Sequence, residues 1–112
     1  MPLLHIRSNI TIDDKEAVAL AASKQTAQLL GKPENYVMVI IDDQLHLIFA
    51  GNDQAAAYLE LKSINLSESK TTELSSALCD FIQQELGIDS SRVYIEFSNA
   101  QRHMWGWSGA TF

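Results

Sequence analysis

Pro2, the second residue of the chain, is the position whose residue type and place point most directly to chemistry. We expect Met1 to be removed because proline is small, which leaves Pro2 with a basic secondary amine instead of an amide nitrogen. The pKa of an α-amino group is about 7.7–8.0, and burial in an apolar pocket lowers that pKa. Such an amine is suited to removing a proton beside a carbonyl group near neutral pH. The alternative is a proline that only begins a strand.

The remaining residues show no pattern typical of metal, cofactor or nucleophilic chemistry. His5, His46 and His103 lie far apart and lack the spacing of metal ligands. The sequence has no glycine-rich phosphate or dinucleotide motif, and no serine or cysteine in a nucleophile elbow. Cys79, the single cysteine, is predicted to be a small buried residue on the apolar side of a helix. We therefore expect no metal and no cofactor.

Composition limits the class of protein and its partners. The 112 residues fit a single domain, 1–112, and 46% of them are hydrophobic, as in soluble globular proteins. A net charge of −6 argues against binding to a nucleic-acid backbone. No apolar run approaches the ~20 residues of a membrane span, and the first residues do not resemble a secretory signal. We expect a cytoplasmic protein without nucleic-acid or membrane partners; leaderless secretion stays open.

A short repeat divides the chain into two similar halves. Leu30-Gly31 is followed by a hydrophobic run, and Leu86-Gly87, 56 positions later, is followed by another at the same spacing. Each Leu-Gly is typical of a helix end, and each hydrophobic run is typical of a strand. The repeat therefore predicts two copies of one strand–helix–strand unit.

The two units correspond to halves of about 1–56 and 57–112. Residues 3–7 are predicted to form the first strand, and Asp13 is predicted to cap the first helix, with Glu16 completing a capping box. The apolar stripes of the two helices are Val18, Ala22, Leu29 and Leu30 in the first, and Leu74, Leu78, Phe81, Ile82 and Leu86 in the second. Their spacing is that of amphipathic helices.

The other strands follow from β-branched runs and alternation. Residues 36–41 are predicted to form a buried strand, and residues 45–49 to extend or follow it. Residues 58–62 alternate as a half-buried strand does. Ser67 or Ser69 is predicted to cap the second helix. On the last long strand the alternating residues are Val93, Ile95 and Phe97.

Two such units predict an α+β fold with duplicated β-α-β units, one four-stranded mixed sheet and both helices on one face. Right-handed crossovers make the strands parallel within each unit. The other face of the sheet would then be uncovered. A sheet carrying Val39, Leu61 and Ile95 is too apolar to leave one face in water, so we expect a symmetric oligomer.

Several motifs, in order along the whole chain, resemble the macrophage migration inhibitory factor family of the tautomerase superfamily. They are Met1-Pro2, residues 26–33 (TAQLLGKP), Asp43-Gln44-Leu45, Lys62-Ser63-Ile64, Arg92-Val93-Tyr94-Ile95, and Gly106-Trp107 with Thr111-Phe112. The resemblance implies a homotrimer whose three sheets face inward as a barrel. It also implies active sites at subunit interfaces and keto–enol tautomerisation of phenylpyruvate, hydroxyphenylpyruvate and dopachrome-type substrates, with Pro2 as the base.

Further site residues are carried over from the resemblance position by position. Lys32 matches the pocket lysine, which pairs with a substrate carboxylate and lowers the pKa of the proline; alternatively it is a solvated cation beyond a helix end. Ile64 matches a residue whose backbone meets the substrate, and is otherwise a core residue. Tyr94 matches a pocket tyrosine supplied by a neighbouring subunit, and is otherwise an ordinary strand tyrosine. The aromatic positions at the pocket rim or subunit contact are Tyr36, Trp107 and Phe112, which are equally well explained as structural.

Two positions and one segment depart from the vertebrate members of the family. Glu96 replaces a pocket asparagine, so an ionised carboxylate would raise the pKa of Pro2, repel an acidic substrate or pair with Lys32. Trp105 replaces a valine and changes the shape of the pocket mouth. Residues 56–59 replace a Cys-x-x-Cys segment with residues that have no thiol, so we expect no thiol–disulfide exchange.

Two other functions remain open at this level. The family includes secreted signalling proteins, so a cytokine-like protein with a receptor partner and a vestigial site is one alternative. Another reaction that uses the same proline base, such as decarboxylation or dehalogenation, is the second. The sequence does not choose the physiological substrate.

Overall fold

The chain forms two successive β-α-β units, in a computed structural model that describes residues 1–112. The first unit is β1 (Leu3–Ser8), α1 (Lys15–Leu30) and β2 (Met38–Asp42); the second is β3 (Ala57–Ile64), α2 (Thr71–Leu86) and β4 (Val93–Ala100). Two short strands, β5 (Gly106–Trp107) and β6 (Ala110–Thr111), form a separate hairpin after β4. The two helices begin 56 positions apart, as the repeat in the sequence does.

The four long strands form one mixed sheet in the order β2-β1-β3-β4. β1 and β2 are parallel, β3 and β4 are parallel, and the central pair β1–β3 is antiparallel. The register places Leu4 between Val39 and Leu61. The α+β fold with a four-stranded mixed sheet and two helices on one face is thus confirmed.

The hydrophobic core lies between that face of the sheet and the helices. Within this core cluster, the fully buried strand residues are Leu4, Ile6, Leu59 and Leu61, and those of α2 are Leu78 and Ile82. Val39 and Ile95 pack against this cluster as well. The three residues used above to predict an exposed apolar face, Val39, Leu61 and Ile95, therefore lie on the covered face, and that part of the prediction is wrong.

The opposite face of the sheet, called the open face below, carries no helix. Its residues are Leu3, His5 and Arg7 of β1, Met38, Ile40 and Asp42 of β2, Tyr58, Glu60 and Lys62 of β3, and Tyr94, Glu96 and Ser98 of β4. Met38 and Tyr94 are 61% and 65% exposed. Arg7 pairs with Glu60, and His5 Nε2 lies 2.6 Å from Asp42 Oδ2. The open face thus combines exposed apolar side chains with ion pairs.

The ends of α1 show which of two adjacent aspartates is the cap. Asp14, not Asp13, is the N-cap, and its Oδ1 accepts a hydrogen bond of 3.0 Å from the Ala17 N–H. The predicted capping box is wrong because the third helical residue is Ala17, and Glu16 lies one residue too early. Gly31 ends the helix at φ +62°, the left-handed conformation that glycine adopts without strain.

Two other elements differ from the sequence-based expectations. Tyr36 ends a 3-10 turn, Glu34–Tyr36, so β2 begins two residues later. Residues 45–49 form no strand, apart from a single bridge from Phe49 to Asn52. The Arg92 side chain donates hydrogen bonds to the main-chain oxygens of Phe49, Gln54 and Ala55. These bonds hold residues 49–55 in an irregular path.

The start of α2 differs from both predicted caps. Ser67 caps the 3-10 turn Glu68–Lys70 instead of the helix, and neither Ser67 nor Ser69 is the N-cap of α2. Cys79 is only half-buried against the core, and burial raises the pKa of its thiol. Neither helix is long and apolar enough to cross a membrane.

Candidate active site

Pro2 lies at the entrance to β1 and is almost completely removed from solvent, with less than 2% of its surface exposed. Its carbonyl accepts a hydrogen bond of 3.0 Å from the N–H of Met38, which is the first residue of β2. The parallel pairing of β1 and β2 therefore fixes the position of the proline ring. A residue held by the sheet in this way is positioned more rigidly than one at a free chain end.

Pro2 lines a cavity of about 400 Å³, called the Pro2 cavity below. Its walls are Met1, Pro2, Leu3, Asn35, Tyr36, Val37, Met38, Trp105, Gly106, Trp107 and Phe112. A cavity of this size lies within the range of small-molecule sites, and its walls are mainly apolar, as such sites usually are.

Three aromatic rings form one side of the Pro2 cavity. The Trp107 and Phe112 rings are stacked with centroids 5.7 Å apart, and Tyr36 meets both edge-on at 5.6 and 6.1 Å. The Phe112 N–H donates to the Trp105 carbonyl at 3.2 Å, which closes the β5–β6 hairpin against the cavity. The sequence-predicted residues Tyr36, Trp105 and Phe112 are thus brought together with Pro2.

Lys32 and Ile64 meet beside the Pro2 cavity without lining it. The Lys32 Nζ donates a hydrogen bond of 2.6 Å to the Ile64 carbonyl. Burial first, and then the positive charge of Lys32, hold the pKa of the amino group at the chain start below its ordinary value. Burial, and then the charge of Arg102, also lower the pKa of Lys32. Lys32 is therefore close enough to favour the neutral form of a terminal amine.

Arg102 is a charged residue at this site that the motifs did not mark. It lies on the 3-10 turn Arg102–Met104, and its Nε donates to the Phe112 main-chain oxygen at 3.2 Å. Phe112 is a wall of the Pro2 cavity, so Arg102 stands at its rim. In the sequence, the only indication of a role for Arg102 is a basic residue just before the aromatic tail. That indication is weak because surface arginines are common.

Tyr94 and Glu96 lie far from the Pro2 cavity of their own chain. Both are on β4, at the edge of the sheet opposite β2, and both point to the open face. The Tyr94 ring meets Phe49 edge-on with centroids 4.8 Å apart. The Glu96 carboxylate accepts a hydrogen bond of 3.3 Å from the Tyr58 hydroxyl, and Lys32 bonds Ile64 instead of Glu96. The Lys32–Glu96 pair considered above does not form within one chain.

The site contains the groups needed for proton transfer and no cluster of metal ligands. No three histidine, cysteine, aspartate or glutamate side chains come close enough together to hold a metal ion. A partly buried terminal amine beside a lysine can take up and return a proton. The fold and site define a small α+β protein with a proline held at the floor of an aromatic cavity.

Comparison with known proteins assigns this architecture to a family. The family model described as macrophage migration inhibitory factor (MIF) matches residues 1–112, and the chain belongs to that family, within the tautomerase superfamily. A macrophage migration inhibitory factor homolog of Trichinella spiralis is 34% identical over 100% of both chains, and the Xenopus laevis protein is 31% identical over 100% of this chain and 99% of that one. The crystal structure of the homologue from Prochlorococcus marinus has a TM-score of 0.93 at 38% identity over 98% of both chains.

Proposed function

We propose that this protein is a keto–enol tautomerase that acts on phenylpyruvate-like aromatic α-keto acids, with Pro2 as the general base. The observation that carries the proposal is the place of Pro2, buried at an aromatic-walled cavity of about 400 Å³ beside Lys32. The amino group one residue before Pro2 already has a lowered pKa. After removal of Met1, the terminal amine is that of Pro2, which lies at the same cavity, and burial and the charge of Lys32 are expected to act on it in the same direction.

The reaction needs one proton to move between two atoms of the substrate. The neutral Pro2 nitrogen removes a proton from the carbon beside the ketone, which leaves an enolate, and the resulting prolinium returns the proton to the enolate oxygen. The reverse direction uses the same steps in the opposite order. The Lys32 ammonium, aided by main-chain amides near Ile64, stabilises the substrate carboxylate and the developing negative charge. No redox step occurs, so the mechanism requires no cofactor.

The aromatic walls account for the proposed substrate class. A phenyl or hydroxyphenyl ring can pack edge-on or offset against Tyr36, Trp107 and Phe112, as aromatic pairs prefer. Trp105 also lines the cavity, on the side of the β5–β6 hairpin. Dopachrome-type test substrates carry a similar flat ring and would use the same walls.

A homotrimer with the three sheets facing inward would complete the site. The open face carries exposed apolar side chains, Met38, Ile40 and Tyr94, which a partner subunit would cover. Such an assembly would bring Tyr94 and Glu96 of one subunit to the Pro2 cavity of the next. We place this enzyme in the cytoplasm.

Turnover of phenylpyruvate tests the proposal. Purified protein, with loss of Met1 checked by mass and oligomeric state checked by light scattering, is expected to convert the enol to the ketone. Pro2→Gly is expected to lose most of kcat/KM, since general-base catalysis typically contributes ~10²–10⁴-fold. No turnover by processed trimer, or equal turnover by Pro2→Gly, would overturn the proposal.

A further inference from the structure

Residues 106–112 carry two of the three rings at the Pro2 cavity, Trp107 and Phe112, but few bonds join this segment to the rest of the chain. Strands β5 and β6 have two residues each and form a sheet of their own, so no ladder of main-chain hydrogen bonds connects them to the four-stranded sheet. Their residues are all exposed, Trp107 to 57%. An isolated two-stranded hairpin is marginally stable at best in water. Another contact must therefore hold the two rings at the cavity.

The Arg102 side chain makes such a contact. Its Nε donates a hydrogen bond of 3.2 Å to the Phe112 main-chain oxygen, and this is the only hydrogen bond formed by a side chain of residues 101–112. The Phe112 N–H donates to the Trp105 carbonyl, so the main chain of Phe112 is held through both its N–H and its oxygen. Arg102 thereby ties the end of the hairpin back to the turn from which the hairpin starts.

The place of Phe112 determines how the three rings meet. The Phe112 ring stacks on Trp107 with the ring planes 19° apart, and Tyr36 meets both rings edge-on. Aromatic contacts of this kind depend on geometry as well as on buried area. If Phe112 moves, Trp107 loses its stacked partner and Tyr36 loses one of its two edge contacts. The aromatic wall of the Pro2 cavity thus depends on the bond between Arg102 and Phe112.

Other contacts fix the groups that are proposed to move the proton. Pairing of β1 with β2 holds Pro2 in place, and the hydrogen bond to the Ile64 carbonyl holds Lys32. Neither contact involves Arg102. Replacing Arg102 is therefore expected to change the binding of an aromatic ring more than the transfer of a proton.

We propose that Arg102 is a positioning residue, which fixes the aromatic wall of the Pro2 cavity through Phe112 and sets the preference for ligands with an aromatic ring. The inference rests on the proposed function, since it names the residue behind the aromatic substrate class at the same site. Arg102 does not itself line the cavity and is not a catalytic residue. Its effect on a substrate passes through the rings of Phe112 and Trp107.

The charge of Arg102 offers a second explanation for any loss of binding. Burial first, and then this charge, lower the pKa of Lys32, and no carboxylate forms an ion pair with Arg102. An effect of charge is confined to ligands that carry a carboxylate. An effect through Phe112 extends to uncharged ligands with the same ring. Two ligands that differ only in charge therefore separate the two explanations.

Binding of 3-phenylpropionate and of its uncharged amide, 3-phenylpropanamide, tests the proposal in protein that has lost Met1. Arg102→Met removes the donor and keeps the aliphatic stem of the side chain. We expect it to weaken binding of both ligands about fivefold, as the loss of one hydrogen bond does. Two-dimensional nuclear magnetic resonance follows the titrations. The Phe112 amide proton is expected to exchange faster with solvent, while the amide signals of the four-stranded sheet stay in place.

A second variant and a kinetic measurement separate positioning from a general loss of structure. Arg102→Lys keeps a charge and a donor but not the planar fork of arginine, and is expected to recover part of the affinity for both ligands. In phenylpyruvate turnover, Arg102→Met is expected to raise KM about fivefold and to leave kcat within about twofold, the pattern of lost uniform binding.

Lys24→Met is the matched control for the change of charge, since Lys24 is exposed on α1 and forms no ion pair. This variant is expected to bind both ligands as the wild type does. The proposal is overturned by a loss confined to 3-phenylpropionate, by unchanged binding in Arg102→Met, by equal losses in Lys24→Met, or by a wild type that does not bind the amide. The binding test needs no turnover, so its result stands whether or not the protein is a tautomerase.

Discussion

The Lys32 ammonium donates a 2.6 Å hydrogen bond to the main-chain carbonyl of Ile64, which joins the end of α1 to the end of β3. This contact fixes a positive charge at one place beside the start of the chain. Because the ammonium is also partly withdrawn from water, its field on the terminal amine is screened less than that of a surface lysine.

Replacing Lys32 is therefore expected to change the pH dependence of turnover. Lys32 lowers the pKa of the terminal amine, so Lys32→Met raises that pKa and reduces the neutral fraction of the base at any pH near it. The acid limb of kcat/KM against pH moves to higher pH, and KM for a carboxylate substrate rises. The measurement is the pH profile of phenylpyruvate turnover, with Lys24→Met as a control that keeps the wild-type limb. A limb that stays in place would show that Lys32 does not act on the base.

Removing the negative charge of Glu96 is expected to have the opposite effect on turnover to removing the positive charge of Lys32. If Glu96 of one subunit reaches the Pro2 cavity of the next, its carboxylate repels an acidic substrate. Glu96→Gln keeps an acceptor for the Tyr58 hydroxyl and removes the charge. We expect kcat/KM for phenylpyruvate to rise about fivefold, equivalent to about 1 kcal/mol of repulsion at a partly solvated distance.

The matched control for this test is Glu73→Gln on the exposed first turn of α2, which is expected to leave kcat/KM unchanged. Equal kcat/KM for Glu96→Gln and the wild type would place Glu96 outside the active site of the assembled protein.

The cap of α1 gives a stability test with two adjacent residues. Asp14→Ala removes the acceptor of the Ala17 N–H and is expected to lower the free energy of unfolding by about 1 kcal/mol. Asp13→Ala removes an exposed carboxylate that caps nothing, and is expected to change it by less than about 0.5 kcal/mol. The free energy of unfolding of both variants is measured by urea denaturation. A larger loss in Asp13→Ala than in Asp14→Ala would contradict the cap assignment.

Thr26 offers a position at which stability can be gained. Its side chain is 1% exposed, and its hydroxyl oxygen has no hydrogen-bond partner. Thr26→Val keeps the shape of the side chain and removes the unsatisfied group, so the free energy of unfolding is expected to rise by about 1–2 kcal/mol. Thr72→Val, at an exposed position of α2, is the control for the change of residue type. A loss of stability in Thr26→Val alone would mean that the hydroxyl is satisfied in solution.

Much of the fold could be predicted because its signals are local. The Leu-Gly endings at Gly31 and Gly87 mark two helices of equal length, and both glycines adopt the left-handed conformation that ends a helix. The strand faces could not be predicted in the same way. Val39 lies in an uninterrupted apolar run, so alternation gives no indication of which face it joins. Two adjacent aspartates at the start of α1 likewise leave the cap ambiguous by one residue.

The candidate site was predictable only where the family motifs mark it. Pro2, Tyr36, Trp105 and Phe112 meet in one cavity as expected. Arg102 was not predicted, because its place depends on how the β5–β6 hairpin folds back onto the cavity and not on any local pattern. Tyr94 and Glu96 lie on β4, at the edge of the sheet opposite β2, so a single chain does not bring them to Pro2, whereas the proposed trimer would.

The most direct test of the central claim compares the same chain with and without Met1. The two proteins differ at the Pro2 cavity only in the Met1 residue, and the Pro2 nitrogen is a basic amine in one and an amide in the other. We predict that phenylpyruvate turnover is present only in the protein from which Met1 has been removed, with an acid limb below the ordinary α-amino pKa of about 7.7–8.0. Equal turnover by both proteins would contradict the assignment of Pro2 as the base.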